Sequence, residues 1–219
     1  MKLDPRKSTW VYAIVWHLCR ALFKVFFRVR YHYGAPLPLE GPVILAANHA
    51  SYLDPPLVGS GLARPVNYLA RDTLFKHAAF NFFLKRLLCV PVDRDGAGAA
   101  GLKGIFDRLS GGGMILLFPE GTRTPDGKLL PARAGVGLAV IKSGAPVIPV
   151  RVFGTFEAYG RNARFPRPRR IAVKYGAPMR LDDLRDEATT CSKPRVKEIY
   201  QEVADRIMSQ ISALRPDEQ

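Results

Sequence analysis

Three short apolar runs, Val43-Ile44-Leu45-Ala46-Ala47, Met114-Ile115-Leu116-Leu117-Phe118 and Val147-Ile148-Pro149-Val150, constrain the fold of this chain more than any other feature. Runs of this length, bounded by turn residues, are the pattern of buried strands. Pro149 should then lie near an edge or a bulge, because proline cannot donate to a ladder. Val66 to Ala70, Cys89 to Val92 and Ile171 to Tyr175 read as further strands. Helical patterns fall between them at Thr73 to Leu88, Gly98 to Leu109 and Arg133 to Lys142. The alternation predicts an α/β sheet. The clearest helix comes last, where Val196, Ile199, Tyr200, Val203, Ile207, Ile211 and Leu214 recur every three or four residues and predict a face that docks on the sheet.

With 219 residues, 47% of them hydrophobic, the chain can bury one substantial core. Ahead of it, Trp10 to Phe27 is strongly apolar, but Arg20 and Lys24 interrupt it before it reaches the length of a spanning helix. Trp10, Tyr12, Trp16, Phe23, Phe26 and Phe27, interleaved with Lys24, Arg28 and Arg30, suggest a helix lying in a membrane interface. Two other readings are a helix packed on its own domain and a signal peptide; the second lacks a small-residue cleavage site. Gly34-Ala35-Pro36-Leu37-Pro38 marks a boundary, which divides the chain into an interfacial segment, 1–33, and a main domain, 34–219.

Thirty-three Lys and Arg against 19 Asp and Glu give a formal charge of +14, which draws the protein to anionic surfaces, lipid or nucleic acid. Five of the arginines, Arg161, Arg164, Arg167, Arg169 and Arg170, crowd one segment. Cys19, Cys89 and Cys191 are odd in number and widely spaced, so neither a disulfide framework nor a zinc site is expected.

The chemistry-bearing residues fall in two segments. In Asn48-His49-Ala50-Ser51-Tyr52-Leu53-Asp54 an imidazole precedes a carboxylate by five positions, which on a regular helix would turn the two side chains apart. They can meet only across a loop-to-helix junction, and Asp54-Pro55-Pro56 predicts one, with Asp54 as N-cap and Pro55 at the first helical position. Downstream, Phe118-Pro119-Glu120-Gly121-Thr122-Arg123 runs from a strand into a bent loop. Its arginine can grip a phosphate through two parallel hydrogen bonds, and Glu120 can orient that arginine or the backbone. A surface turn with a Glu120–Arg123 ion pair is the plainer alternative.

Taken in order, these segments resemble the 1-acylglycerol-3-phosphate O-acyltransferase family, also called the lysophosphatidic acid or glycerolipid acyltransferase family. The likeness runs from about residue 30 to residue 180. It implies an α/β fold with a mixed central sheet flanked by helices and an N-terminal membrane-associating helical segment. His49 and Asp54 take the place of the family's catalytic pair, and Arg94, in Val90-Pro91-Val92-Asp93-Arg94, that of an arginine that helps bind glycerol phosphate. The third block carries over onto Glu120, Gly121, Thr122 and Arg123, to which the resemblance gives the binding of the substrate phosphate, and a hydrophobic proline block onto Val147 to Val150. Pro131-Ala132-Arg133-Ala134-Gly135 keeps one cation and the glycine of the sequence that usually follows, which makes Arg133 a further candidate phosphate contact.

The expected reaction moves a fatty acyl group from acyl-CoA or acyl carrier protein to a lysophospholipid hydroxyl. Lysophosphatidic acid is the default acceptor, with other lysophospholipids or lyso-ornithine lipid as alternatives. His49 would be the general base and Asp54 would hold its ring. No cofactor or metal is implied beyond the thioester co-substrate. The expected partners are a membrane phospholipid surface, the acceptor and the donor, at the cytoplasmic face of the cell membrane. The chain carries no recognisable nucleic-acid-binding motif, and no nucleic acid is expected. A metal-dependent hydrolase would need His17, His32 or His77 at ligand spacing with His49, and none has it.

Overall fold

The computed structural model describes residues 9–92 and 99–216. Seven strands form one sheet: β1 (Arg30–Tyr33), β2 (Val43–Ala47), β3 (Val66–Arg71), β4 (Cys89–Val92), β5 (Met114–Leu117), β6 (Val147–Phe153) and β7 (Ala172–Tyr175), in the spatial order β1-β7-β6-β2-β5-β3-β4. Neighbouring strands run parallel except β6 and β7, so β7 and β1 reverse the direction of the other five and the sheet is mixed. The helices are α1 (Trp10–Phe26), α2 (Asp54–Ser60), α3 (Ala78–Arg86), α4 (Ala99–Ser110), α5 (Ala134–Ser143), α6 (Thr155–Tyr159), α7 (Asp182–Thr190) and α8 (Lys193–Ala213), and a 3-10 turn covers Asp72–Lys76.

The apolar runs bury both faces of the sheet, as successive side chains on a strand point to opposite sides. Ile44, Ala46, Ile115, Leu117 and Val147 pack under α4, α5, α7 and α8. Val43, Leu45, Ala47, Met114, Leu116 and Ile148 pack against α2 and the end of α1. Helix α8 docks through Ile199, Tyr200, Val203, Ala204, Ile207 and Ile211. It lies so close to α5 that a Cβ added at Gly137 would collide with the Tyr200 carbonyl oxygen.

Several boundaries differ from the sequence reading. The Phe-rich stretch expected as one helix splits into the 3-10 turn and α3. Strand β6 is interior, between β2 and β7; Pro149 is tolerated because the β7 register begins one residue later, at Val150. The sheet also crosses the division expected at residue 34, since β1 pairs with β7 from Arg30 onward.

Helix α1 has two apolar faces. Thr9 caps it, accepting from the Tyr12 N–H at 3.1 Å while donating to the Arg86 carbonyl at 2.7 Å. The inner face buries Val11, Tyr12, Trp16 and Phe23, and Trp16 Nε1 donates to the Leu62 carbonyl at 3.1 Å. The outer face leaves Trp10, Ile14, Leu18, Leu22, Val25 and Phe26 exposed. Arg28, in the left-handed region at φ 47°, ends the run where glycine is more usual. No helix of the described residues is long and apolar enough to cross a membrane.

Candidate active site

Strands β2 and β5 are parallel neighbours at the centre of the sheet, so the loops after them leave at the same edge, the side on which parallel sheets present ligand sites. This brings together segments far apart in sequence.

In the first loop Asp54 is the organising group. It is fully buried, and its Oδ2 accepts from the backbone N–H groups of Ala50 and Ser51, each at 2.7 Å, and lies 2.8 Å from His49 Nδ1. A carboxylate only accepts, so Nδ1 must carry a proton, and the neutral ring then keeps its lone pair on Nε2. Asp54 is not the N-cap. Leu53 takes that place with αR backbone angles, which puts Asp54 and Pro55 at the first two helical positions. The reason is that the carboxylate turns back to the amides of the preceding loop instead of forward to those of the helix.

The His49 backbone is held on both sides by the second loop. Its N–H donates to Glu120 Oε1 at 3.2 Å, and its carbonyl accepts from the Thr124 N–H at 2.9 Å. The imidazole stacks on Phe118, centroids 3.9 Å apart and planes 15° from parallel, with 17% of the side chain exposed. On the other flank the Asn48 side-chain amide bonds both the N–H and the C=O of Val152. The Ser51 hydroxyl donates to the Tyr159 carbonyl at 2.6 Å and accepts from the Leu53 N–H, so this fully buried group is engaged and is not a free nucleophile.

Glu120 departs from the role of phosphate contact given it above. Only 2% of it is exposed, and its carboxylate faces the His49 amide. Burial raises its pKa from the usual 4.5 to about 7; the His49 N–H opposes the rise, the Asp54 charge adds to it, and the Leu130 N–H also opposes it. An inward, reluctant anion braces the histidine loop and offers nothing to a phosphate.

Arg123 lies with its guanidinium carbon 3.4 Å from the centroid of the Tyr52 ring, which belongs to the first loop, and no Glu120–Arg123 ion pair forms. Its Nη1 is buried without a hydrogen-bond partner among the described residues. Arg123, by hydrogen bonding first and by its charge second, holds the Tyr52 hydroxyl below its ordinary pKa. Gly121 has φ 67°, and a Cβ there would stand 2.9 Å from Arg133 Cδ, so the bare backbone lets the Arg133 stem cross the loop. Arg133 and Thr122 are both exposed. Arg94 lies outside the described residues.

Phe118, Thr124, Asn48 and Tyr52 had no role in the sequence reading, and only their proximity to the motifs could have drawn attention to them. Burial raises the Cys89 thiol to about 11 and also raises Cys19, which leaves both poor thiolates at neutral pH. Among the described residues no group of three or more His, Cys, Asp or Glu side chains is placed to hold a metal ion. Beside α2 an apolar cavity of about 250 Å³ is lined by Tyr12, Trp16, Cys19, Pro55, Pro56 and Tyr68 among others.

The family model for acyltransferases matches residues 28–153, more than half of the sequence. The chain belongs to the acyltransferase family. The matched region includes both loops of the site. Among curated members, a 1-acyl-sn-glycerol-3-phosphate acyltransferase of Cocos nucifera is 28% identical over 163 residues, 70% of this chain and 53% of that protein. One of Bacillus subtilis is 29% identical over 119 residues, 54% of this chain and 59% of that protein. The chain thus spans little more than half the length of these curated relatives. The crystal structure of the 1-acyl-sn-glycerophosphate acyltransferase PlsC from Thermotoga maritima matches with a TM-score of 0.70 at 23% identity, over 93% of this chain and 80% of that one, a likeness of fold.

Proposed function

We propose that this acyltransferase moves a fatty acyl group from a thioester to the sn-2 hydroxyl of 1-acylglycerol-3-phosphate, giving phosphatidic acid. The observation that carries this reading is the His49 ring fixed by Asp54 at 2.8 Å with its other nitrogen free, beside a loop whose arginine has an unsatisfied N–H. His49 Nε2 takes the proton of the acceptor hydroxyl as the oxygen attacks the thioester carbonyl. The new C–O bond forms, the C–S bond breaks, and the imidazolium gives its proton to the departing thiolate. Asp54 supports the imidazolium meanwhile. No acyl-enzyme is needed.

Arg123 would bind the acceptor phosphate through its in-plane N–H groups, since Tyr52 covers one face of the guanidinium. Arg133 and Arg94 would add charge around the same phosphate. Holding the phosphate fixes where the hydroxyl sits and turns a bimolecular encounter into a positioned one. The names borne by the Cocos nucifera and Bacillus subtilis relatives favour lysophosphatidic acid over other lysolipids. The apolar cavity beside α2 suits an acyl chain. The outer face of α1, with Trp10 and Phe26 among its exposed residues, suits peripheral attachment to the cytoplasmic face of the cell membrane, where acyl-CoA and acyl carrier protein are both at hand.

The test gives the purified chain a panel of lysophospholipids with acyl-CoA or acyl carrier protein donors and identifies the products by mass. Phosphatidic acid from lysophosphatidic acid is expected. Transfer confined to acceptors lacking a terminal phosphate, or no transfer at all, would contradict the assignment.

A further inference from the structure

The arginine-rich segment after α6 is tied down at both ends, and the two ends sit at different parts of the molecule. At its start, Gly160 bridges Ser51 in the histidine loop, and the Tyr159 carbonyl accepts from the Ser51 hydroxyl at 2.6 Å. At its close, the Ile171 N–H donates to the Phe27 carbonyl at 3.2 Å and the Ile171 carbonyl accepts from the Arg30 N–H at 3.1 Å. The segment therefore runs from the candidate active site to the C-terminal end of α1.

Between these ties Arg164, Arg167, Arg169 and Arg170 are all exposed. Among the described residues none of them pairs with a carboxylate. Phe165, 68% exposed, stands among them with Arg164 5.6 Å from its ring. At the end of α1, Arg28 and Arg30 add exposed cations beside the exposed Val25 and Phe26. Cations that no carboxylate of the described residues neutralises, set among large apolar side chains, fit one kind of surface, a bilayer with anionic headgroups over an apolar interior. A nucleic acid would use the charges but not the continuous apolar face of α1. An acidic protein would leave that face uncovered.

We infer that residues 161–170 form an anionic-lipid docking loop that works with the outer face of α1 and holds the histidine loop at the membrane surface. This rests on the acyltransferase reading above, which needs a lipid acceptor, but it makes a separate claim about which lipid recruits the enzyme and through which residues. Each cation near an anionic surface strengthens binding on the order of fivefold, an effect that falls off within a Debye length.

The test is flotation of the full chain with phosphatidylcholine vesicles and with vesicles in which about one third of the lipid is phosphatidylglycerol, at about 0.15 M salt. Wild type should bind the anionic vesicles at least about tenfold more tightly, and raising the salt should reduce the gain. The variant R164Q/R167Q/R169Q/R170Q should lose most of it, and R164K/R167K/R169K/R170K should keep it. Thermal unfolding of both variants reports whether the fold is intact. Equal binding of the Gln variant and wild type to anionic vesicles would overturn the inference. So would a Lys variant as weak as the Gln variant, or tighter capture of duplex DNA than of vesicles through the same four arginines. Acyl transfer by wild type to detergent-dispersed lysophosphatidic acid reports on the proposed function alone, so the two failures can be told apart.

Discussion

The loop after β2 directs three hydrogen bonds at one oxygen of Asp54, and its His49 backbone is fixed at both the N–H and the carbonyl by Glu120 and Thr124 of the loop after β5. Arg123, on the loop after β5, lies on the Tyr52 ring of the first loop, and its buried Nη1 has no hydrogen-bond partner among the described residues. One side of the site is complete before any ligand arrives, and the other has an unmet need that an anion would satisfy. A base must be aimed before the proton moves, whereas a phosphate grip gains by waiting for its phosphate. The contrast teaches that changes to the His49–Asp54 pair should act on turnover, and changes to Arg123 and the Tyr52 ring beneath it on acceptor binding.

The largest effect is expected from Asp54→Asn. The amide keeps an acceptor oxygen for Ala50 and Ser51 but can no longer fix the Nδ1–H tautomer of His49 as a carboxylate does. Steady-state kinetics should show kcat lower by about 10³–10⁴-fold with little change in KM. A change in KM alone would remove the contrast.

Arg123→Gln should do the reverse. The KM for a phosphate-bearing acceptor should rise by about 10–100-fold, as expected on losing a charge-assisted pair, with a smaller change in kcat. If acceptors with and without a terminal phosphate suffer equally, the arginine serves the fold and not the ligand.

Glu120→Gln sharpens the comparison through pH. A carboxyl raised from 4.5 to about 7 by burial favours the folded protein in its neutral form; that contribution is complete below 4.5 and is lost as pH rises through about 7. The amide keeps the acceptor for the His49 N–H without the charge. Wild type should lose thermal stability between about pH 5 and pH 8, and the variant should lose less, a difference of about 2–4 °C for each kcal/mol involved. Parallel stability curves for the two proteins would mean that Glu120 is not the titrating group.

Tyr52→Leu should have the smallest effect. An exposed cation–π contact contributes about 0.5–1 kcal/mol, so the acceptor KM should rise about two- to fivefold, and Tyr52→Phe should restore it. No rescue by Phe would mean that the hydroxyl matters and the ring face does not.

The sheet was readable because β2, β5 and the first four residues of β6 are apolar runs, and α8 because its buried positions keep a helical spacing. Strand β1 was hidden because Arg30-Tyr31-His32-Tyr33 follows α1 almost directly and reads as more of the same basic, aromatic stretch. Helix α7 was hidden because Asp182–Thr190 buries only Leu184. Within the site, the His49–Asp54 spacing excluded a shared helix and pointed to a junction. The off-by-one capping position depended on the φ and ψ of Leu53, which no residue type dictates. The inward turn of Glu120 was beyond local reading altogether, because its partner is an amide 71 positions away, brought near only by the pairing of β2 with β5.

The central claim is that His49 takes the proton in a positioned transfer, and the direct measurement is the kinetics of His49→Ala with lysophosphatidic acid and an acyl thioester, product followed by mass. The account predicts kcat reduced by about a thousandfold or more with the acceptor KM close to wild type. Turnover near the wild-type rate would contradict it.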